Sequence, residues 1–181
     1  RKSHCGQPLR AVFRGRLLPR DSQVTLMITV KEVKTKKDIK AFLDFPLELY
    51  KNCEYFVPPL YGDEKKMFSK NFVYNDTCES VFFLAESDGK TVGRISGIIQ
   101  KASNEKNNEK RVRFTRFDAI DDVNVSSSLF SAVESWAKSK GMTEICGPLG
   151  YSDLEREGLL IYGFNELSTF EEQYNYDYYP A

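Results

Sequence analysis

Residues 111–150 read RVRFTRFDAIDDVNVSSSLFSAVESWAKSKGMTEICGPLG, and the order of elements in this stretch decides the fold. From Arg111 to Ile120 the residues alternate with period 2, the pattern of a strand. Asp121 and Asp122 follow as candidate helix N-caps. Val125, Leu129, Val133 and Trp136 then recur on one helical face, which Phe130 and Ala137 widen. Lys138 and Lys140 suit the negative end of the helix dipole, and Gly141 suits a left-handed stop. Glu144–Pro148 reads as a second, short strand. A strand, a helix and a strand in such short order predict a parallel crossover unit. The N-terminus of its helix faces the carboxyl ends of both strands, where open α/β sheets bind ligands.

The 181 residues suffice for one domain with a real core, and their composition is that of an ordinary soluble protein. Net charge is zero but unevenly spread. Residues 1–26 hold six Lys or Arg against Asp21 alone, a net +5, so the remainder carries −5. An acidic body gives no basic face for nucleic acid. No apolar run approaches the roughly 20 residues of a membrane span. Cys5, Cys53, Cys78 and Cys146 are widely spaced, and the single histidine is His4, so no His/Cys metal site is expected. Free thiols point to a reducing cytoplasm.

Residues 1–26 show no periodicity and read as a disordered or non-native leader, followed by one domain over residues 27–181. Ile28–Val33 alternates as a first strand. Thr35-Lys36-Lys37-Asp38 resembles a capping box with Asp in place of Glu or Gln. Ile39, Phe42 and Leu43 mark a helix that Pro46 is expected to break or restart. Residues 55–61 form an extended aromatic loop, and residues 63–70 a short helix. Val81–Ala85 and Thr91–Gln100 read as strands joined by a hairpin at Asp88-Gly89. Val81–Ala85 is apolar on both faces, so this strand is expected to be central or well covered. Gly93 and Gly97 share a face with Ile95 and Ile99 and suit close backbone approach or a bulge. Residues 101–110 read as a polar connector, residues 159–164 as a short strand, and Tyr178-Tyr179-Pro180 as the entry to a further helix.

The order strand, two helices, hairpin, strand, helix, strand resembles the GNAT acyltransferase superfamily, and a bacterial GNAT-like branch in particular. The residues that carry the resemblance are Tyr50-Lys51, Val57-Pro58-Pro59-Leu60, Phe82-Phe83-Leu84-Ala85 and Val92-Gly93-Arg94-Ile95. Further along they are Arg113-Phe114, Phe117-Asp118, the run from Gly141 to Gly150, Tyr174-Asn175-Tyr176 and Tyr178-Tyr179-Pro180. The resemblance implies an α/β fold with a central mixed sheet flanked by helices, splayed between the two strands of the crossover unit. It implies acetyl-CoA or a related acyl-CoA as donor substrate, an amine as acceptor and no metal. The pantetheine arm would lie along Phe117, Asp118 and Ala119. The pyrophosphate would sit on the helix start at Asn124, Val125, Ser126 and Ser127, and Asn175 matches an Asn that opens the next helix. Asp118 is the candidate base, with Glu144 a rival, and Tyr174 and Tyr176 stand nearest to the superfamily's acid. The superfamily also adds a last helix and strand pair beyond this point, so the chain as given reads as incomplete or completed by a partner, such as a second copy.

The sequence departs from that pattern at the phosphate loop. Asp121, Asn124 and Ser126 stand where the superfamily has Arg or Gln, then Gly, then Gly or Ala. Two carboxylates there repel a pyrophosphate, and without glycines the backbone approaches it less closely. These residues equally suit a plain helix cap. The expectation is therefore an acyl-CoA-dependent N-acyltransferase domain acting on a small amine. The alternatives are a catalytically inactive GNAT-like binding or interaction module, and a truncated product without function.

Overall fold

A computed structural model describes residues 27–180; the expected leader, residues 1–26, lies outside the described residues. Five strands, β1 (Ile28–Glu32), β2 (Cys78–Ser87), β3 (Lys90–Gln100), β4 (Arg111–Ala119) and β5 (Glu144–Cys146), form one sheet in chain order. The helices are α1 (Lys36–Leu49), α2 (Tyr61–Lys66), α3 (Lys101–Asn107) and α4 (Val123–Ser139). Strands β1 to β4 pair antiparallel, and β5 lies parallel to β4, so residues 111–150 form the expected crossover. The hairpin between β2 and β3 turns on Asp88 and Gly89 at φ 49° and 73°, the positive values that a tight hairpin turn demands.

Alternation along β2 and β3 sorts the core into two clusters. Ala85, Ile95 and Ile99 pack with Val112 of β4 and with Val125, Leu129 and Val133 of α4. Phe82, Leu84 and Ile98 pack with Phe42 of α1, Met67 and Tyr151. The glycines of β3 set the approach of α4: a Cβ on Gly93 would stand 2.8 Å from Leu129 Cδ1, and one on Gly97 would stand 3.1 Å from the Trp136 ring. Helix α1 opens with the capping box, Asp38 N donating to Thr35 Oγ1 and Thr35 N donating to the Asp38 carboxylate.

Several local expectations are corrected. Pro46 does not break α1, which runs through it to Leu49. Proline lacks the N–H that would bond to the Phe42 carbonyl, and Arg94 Nη1 donates to that oxygen instead at 2.8 Å. Residues 101–110 are not a plain connector but contain α3, which ends where Asn108 takes φ 52°, a conformation Asn tolerates. Residues 159–164 form no strand: Ile161 and Tyr162 face solvent, and the Leu160 backbone is tied to the Asn175 side chain. The helix expected over residues 63–70 is shorter and starts earlier, at Tyr61. The chain at 177–180 is a turn. Among the described residues, no helix is long and apolar enough to cross a membrane.

Candidate functional site

Strand β4 carries the site because its pairing changes along its length. It pairs with β5 only through Arg111–Arg113. Gly147 then crosses Phe114 so closely that a Cβ would lie 2.4 Å from the Phe114 carbonyl oxygen, to which Leu149 N donates at 2.9 Å. Beyond Phe114 the two strands have no further ladder pairs. A gap cavity of about 730 Å³ lies at the end of β4, walled by Phe117, Ala119 and Ile120, by the first turns of α4, and by Tyr178 and Tyr179.

On its other edge β4 slips register. Arg94 faces Asp118 but Ser96 faces Thr115, so Arg116 and Phe117 together stand opposite Ile95. This bulge holds Arg116 at φ 50°, a left-handed conformation that costs a non-glycine residue of order 1–3 kcal/mol and is found where surrounding contacts enforce it. The contacts are plain. Arg116 makes a two-pronged pair with Glu64, both N–O distances 3.1 Å, and a third bond of 3.1 Å to Glu155. Burial works against the Arg116 charge, yet the Glu64 and Glu155 carboxylates outweigh it and raise its pKa. The trio borders a second cavity of about 390 Å³, lined also by Arg94, Asp118 and Arg156 and by apolar Phe56, Pro59, Leu60, Met67 and Phe72.

Asp118, on the floor of that second cavity, is 3% exposed. Arg94 Nε donates to its Oδ2 at 2.8 Å, and Tyr50 Oη donates to its Oδ1 at 3.0 Å. Tyr50 Oη also lies 3.5 Å from Tyr179 Oη. Ala119 N donates to Tyr179 Oη at 2.7 Å, and Tyr178 Oη donates to the Ala119 carbonyl at 2.7 Å. Burial, and then the Asp118 carboxylate, push the Tyr50 and Tyr179 phenols far above their ordinary value, so both stay neutral.

The residues singled out from the sequence fall into three places. Phe117, Ala119, Ser126 and Ser127 line the gap cavity, and Asp118 faces the second one. Asn124 is turned inward to its own cap: its N and Nδ2 donate to Asp122 Oδ1 at 2.8 and 3.0 Å. Val125 is fully buried against β3. Tyr174, Asn175 and Tyr176 line neither of these two cavities. Tyr174 Oη donates to the Phe164 carbonyl, Tyr176 Oη to the Leu49 carbonyl, and Asn175 exchanges bonds with the Leu160 backbone. Glu144 is exposed on β5 and pairs with Arg111. Sequence reading missed Tyr50, Arg94, Arg116 and Tyr179 as site residues. One signal was available for Arg94 and Asp118, opposite charges in two strands otherwise rich in buried positions.

The sheet order, with a parallel β4–β5 pair whose ladder ends after Arg113, is that of the GNAT fold. The chain superposes on a tandem GNAT protein from the clavulanic acid biosynthesis pathway with a TM-score of 0.51, at 12% identity, over 65% of this chain and 35% of that one. In sequence it is 35% identical over 147 residues to Protein YghO of Escherichia coli K12, matching 79% of this chain and 38% of that protein. It is 33% identical over 141 residues to a bacterial ceramide synthase of Caulobacter vibrioides, matching 76% of this chain and 36% of that protein. The chain thus spans under two fifths of the length of these curated relatives. No family model matches it.

Proposed function

We propose that this domain is an N-acyltransferase that passes an acyl group from a thioester donor of the acyl-CoA kind to an amine. The observation that carries the reading is one bulged strand with a cavity on each side. Phe117 and Ala119 line the cavity between the end of β4 and the first turns of α4, while Arg116 and Asp118 line the second cavity. Side chains on the two faces of the end of β4 thus wall one cavity for a donor and one for an acceptor, and the acyl carbon and the amine would have to meet past the end of the strand. Asp118, oriented by Arg94 and Tyr50, is positioned to take a proton from the acceptor at its carboxylate. Tyr179 presents a neutral phenol on the donor side. The ceramide synthase relative supports an amine as acceptor, since ceramide is an amide, and the apolar lining of the second cavity suits an acceptor with an apolar portion. The free Cys53, Cys78 and Cys146 accord with a cytoplasmic setting.

The test is release of free thiol from acyl thioesters in the presence of a panel of primary amines. Asp118→Asn is expected to lower turnover by roughly 100-fold or more, the usual effect of removing a general base. No thiol release with any amine, from protein that melts cooperatively, would remove the enzyme reading. A binding or interaction module without turnover is the second reading, favoured by the way Arg94 and Tyr50 already engage both oxygens of the Asp118 carboxylate. Thioester binding without thiol release selects it.

A further inference from the structure

The gap beside α4 has room for a thioester arm, but its charge is the wrong sign for the diphosphate of coenzyme A. Asp121, Asp122 and Glu134 line it, and no Lys or Arg does so among the described residues. The start of α4 offers no bare amide nest either. Asp122 Oδ1 accepts from Asn124 N, and the Asp122 carbonyl accepts from Val125 N and Ser126 N. Ser126 Oγ donates its hydrogen to the Val123 carbonyl. An anion site at a helix N-terminus depends on free N–H groups and on the positive end of the dipole. Here a carboxylate already holds that place and neutralises the dipole's positive end. The charge also reaches the far wall: the Tyr178 phenol is pushed up first by burial and then by the Asp121 carboxylate. What remains of the wall is Phe117, Ile120, Phe130 and the two tyrosines, surfaces that suit an uncharged amide arm.

Resting on the acyltransferase reading above, we infer that the domain takes its acyl group from a thioester on an uncharged, pantetheine-like arm and discriminates against the polyanionic nucleotide of coenzyme A. Asp121, Asp122 and Glu134 are the specificity-determining residues. The fold's usual grip on the donor is thereby inverted: contact with the arm supplies the affinity, and the helix start repels the phosphates.

Isothermal titration of the whole chain with acetyl-pantetheine and with acetyl-CoA tests this without requiring an acceptor. Acetyl-pantetheine is expected to bind at least as tightly as acetyl-CoA. Raising salt from about 0.05 M to about 0.5 M is expected to strengthen acetyl-CoA binding, because screening weakens repulsion, and to leave acetyl-pantetheine unchanged. The triple change Asp121→Asn, Asp122→Asn and Glu134→Gln is expected to raise acetyl-CoA affinity by about tenfold or more, with acetyl-pantetheine within about twofold of the parent; Asn at the cap position keeps α4 capped. Acetyl-CoA binding that is over about tenfold tighter than acetyl-pantetheine and is weakened by salt overturns the inference and leaves the acyltransferase reading standing. Binding of neither compound overturns both.

Discussion

Replacing Arg116 with methionine tests how the second cavity is held open. The substitution keeps the Cβ and the long stem, so the cost of φ 50° is unchanged and only the guanidinium is lost. Glu64 and Glu155 are then left facing each other, with side chains 16% and 24% exposed. Removing one partner of a buried ion pair typically costs about 3–5 kcal/mol, because the remaining charge is uncompensated. At about 2–4 °C per kcal/mol for a domain of this size, the melting temperature falls by roughly 6–20 °C. The pH dependence changes sign as well. In the parent, burial raises the Glu64 carboxyl but Arg116 more than reverses this, leaving it below its ordinary value of 4.5. A carboxyl lowered in the folded state contributes stability that is complete above its unfolded value and is lost as pH falls through its folded value. Once the guanidinium is gone burial is opposed only by the charges of Arg94 and Arg156, which act without a hydrogen bond to Glu64, so the folded value rises and the penalty grows as pH rises. Scanning calorimetry at about pH 7.5 and about pH 5 should therefore show the variant recovering stability towards the parent at the lower pH. Replacing Arg116, Glu64 and Glu155 together by apolar residues of similar size should restore most of the loss. An Arg116→Met variant that melts within about 3 °C of the parent at both pH values would refute the reasoning.

Gly97→Val tests the approach of α4, since even the first carbon lies 3.1 Å from the Trp136 ring; overpacking of this kind costs about 1–3 kcal/mol, read as a lower denaturant midpoint with an unchanged slope. Asn175→Ala removes the side chain that pairs with the N–H and carbonyl of Leu160, at about 1–3 kcal/mol for each buried group left unpaired. Limited proteolysis should then cut the segment between residues 154 and 173 sooner, while an unchanged digestion pattern would show that the staple is dispensable.

Much of this fold can be read locally. The strand from Arg111 to Ala119, the apolar face of α4, the turn at Asp88-Gly89 and the box at Thr35–Asp38 each depend on residues within a few positions of one another, and each is present, although the bulge at Arg116 interrupts the strand's alternation. The failures are of a different kind. Pro46 stays inside α1 because Arg94, from a strand far along the chain, bonds to the carbonyl that proline leaves free. The bulge at Arg116 is held by Glu64 and Glu155, separated from it by 52 and 39 residues. Asp118 stood out in the sequence as a charge near the end of a strand, but its partners Arg94 and Tyr50 did not, and nothing in the spacing of residues 174–179 told which tyrosine reaches Ala119.

Which residues become strand, helix and turn in the crossover, and hence where its gap falls, is written in the order of the amino acids, because burial of apolar side chains repeats along each element with that element's own period. Which charges and phenols meet around β4 emerges only from the folded chain. Those pairings depend on strand register and on where loops return, and every part of the domain contributes to both.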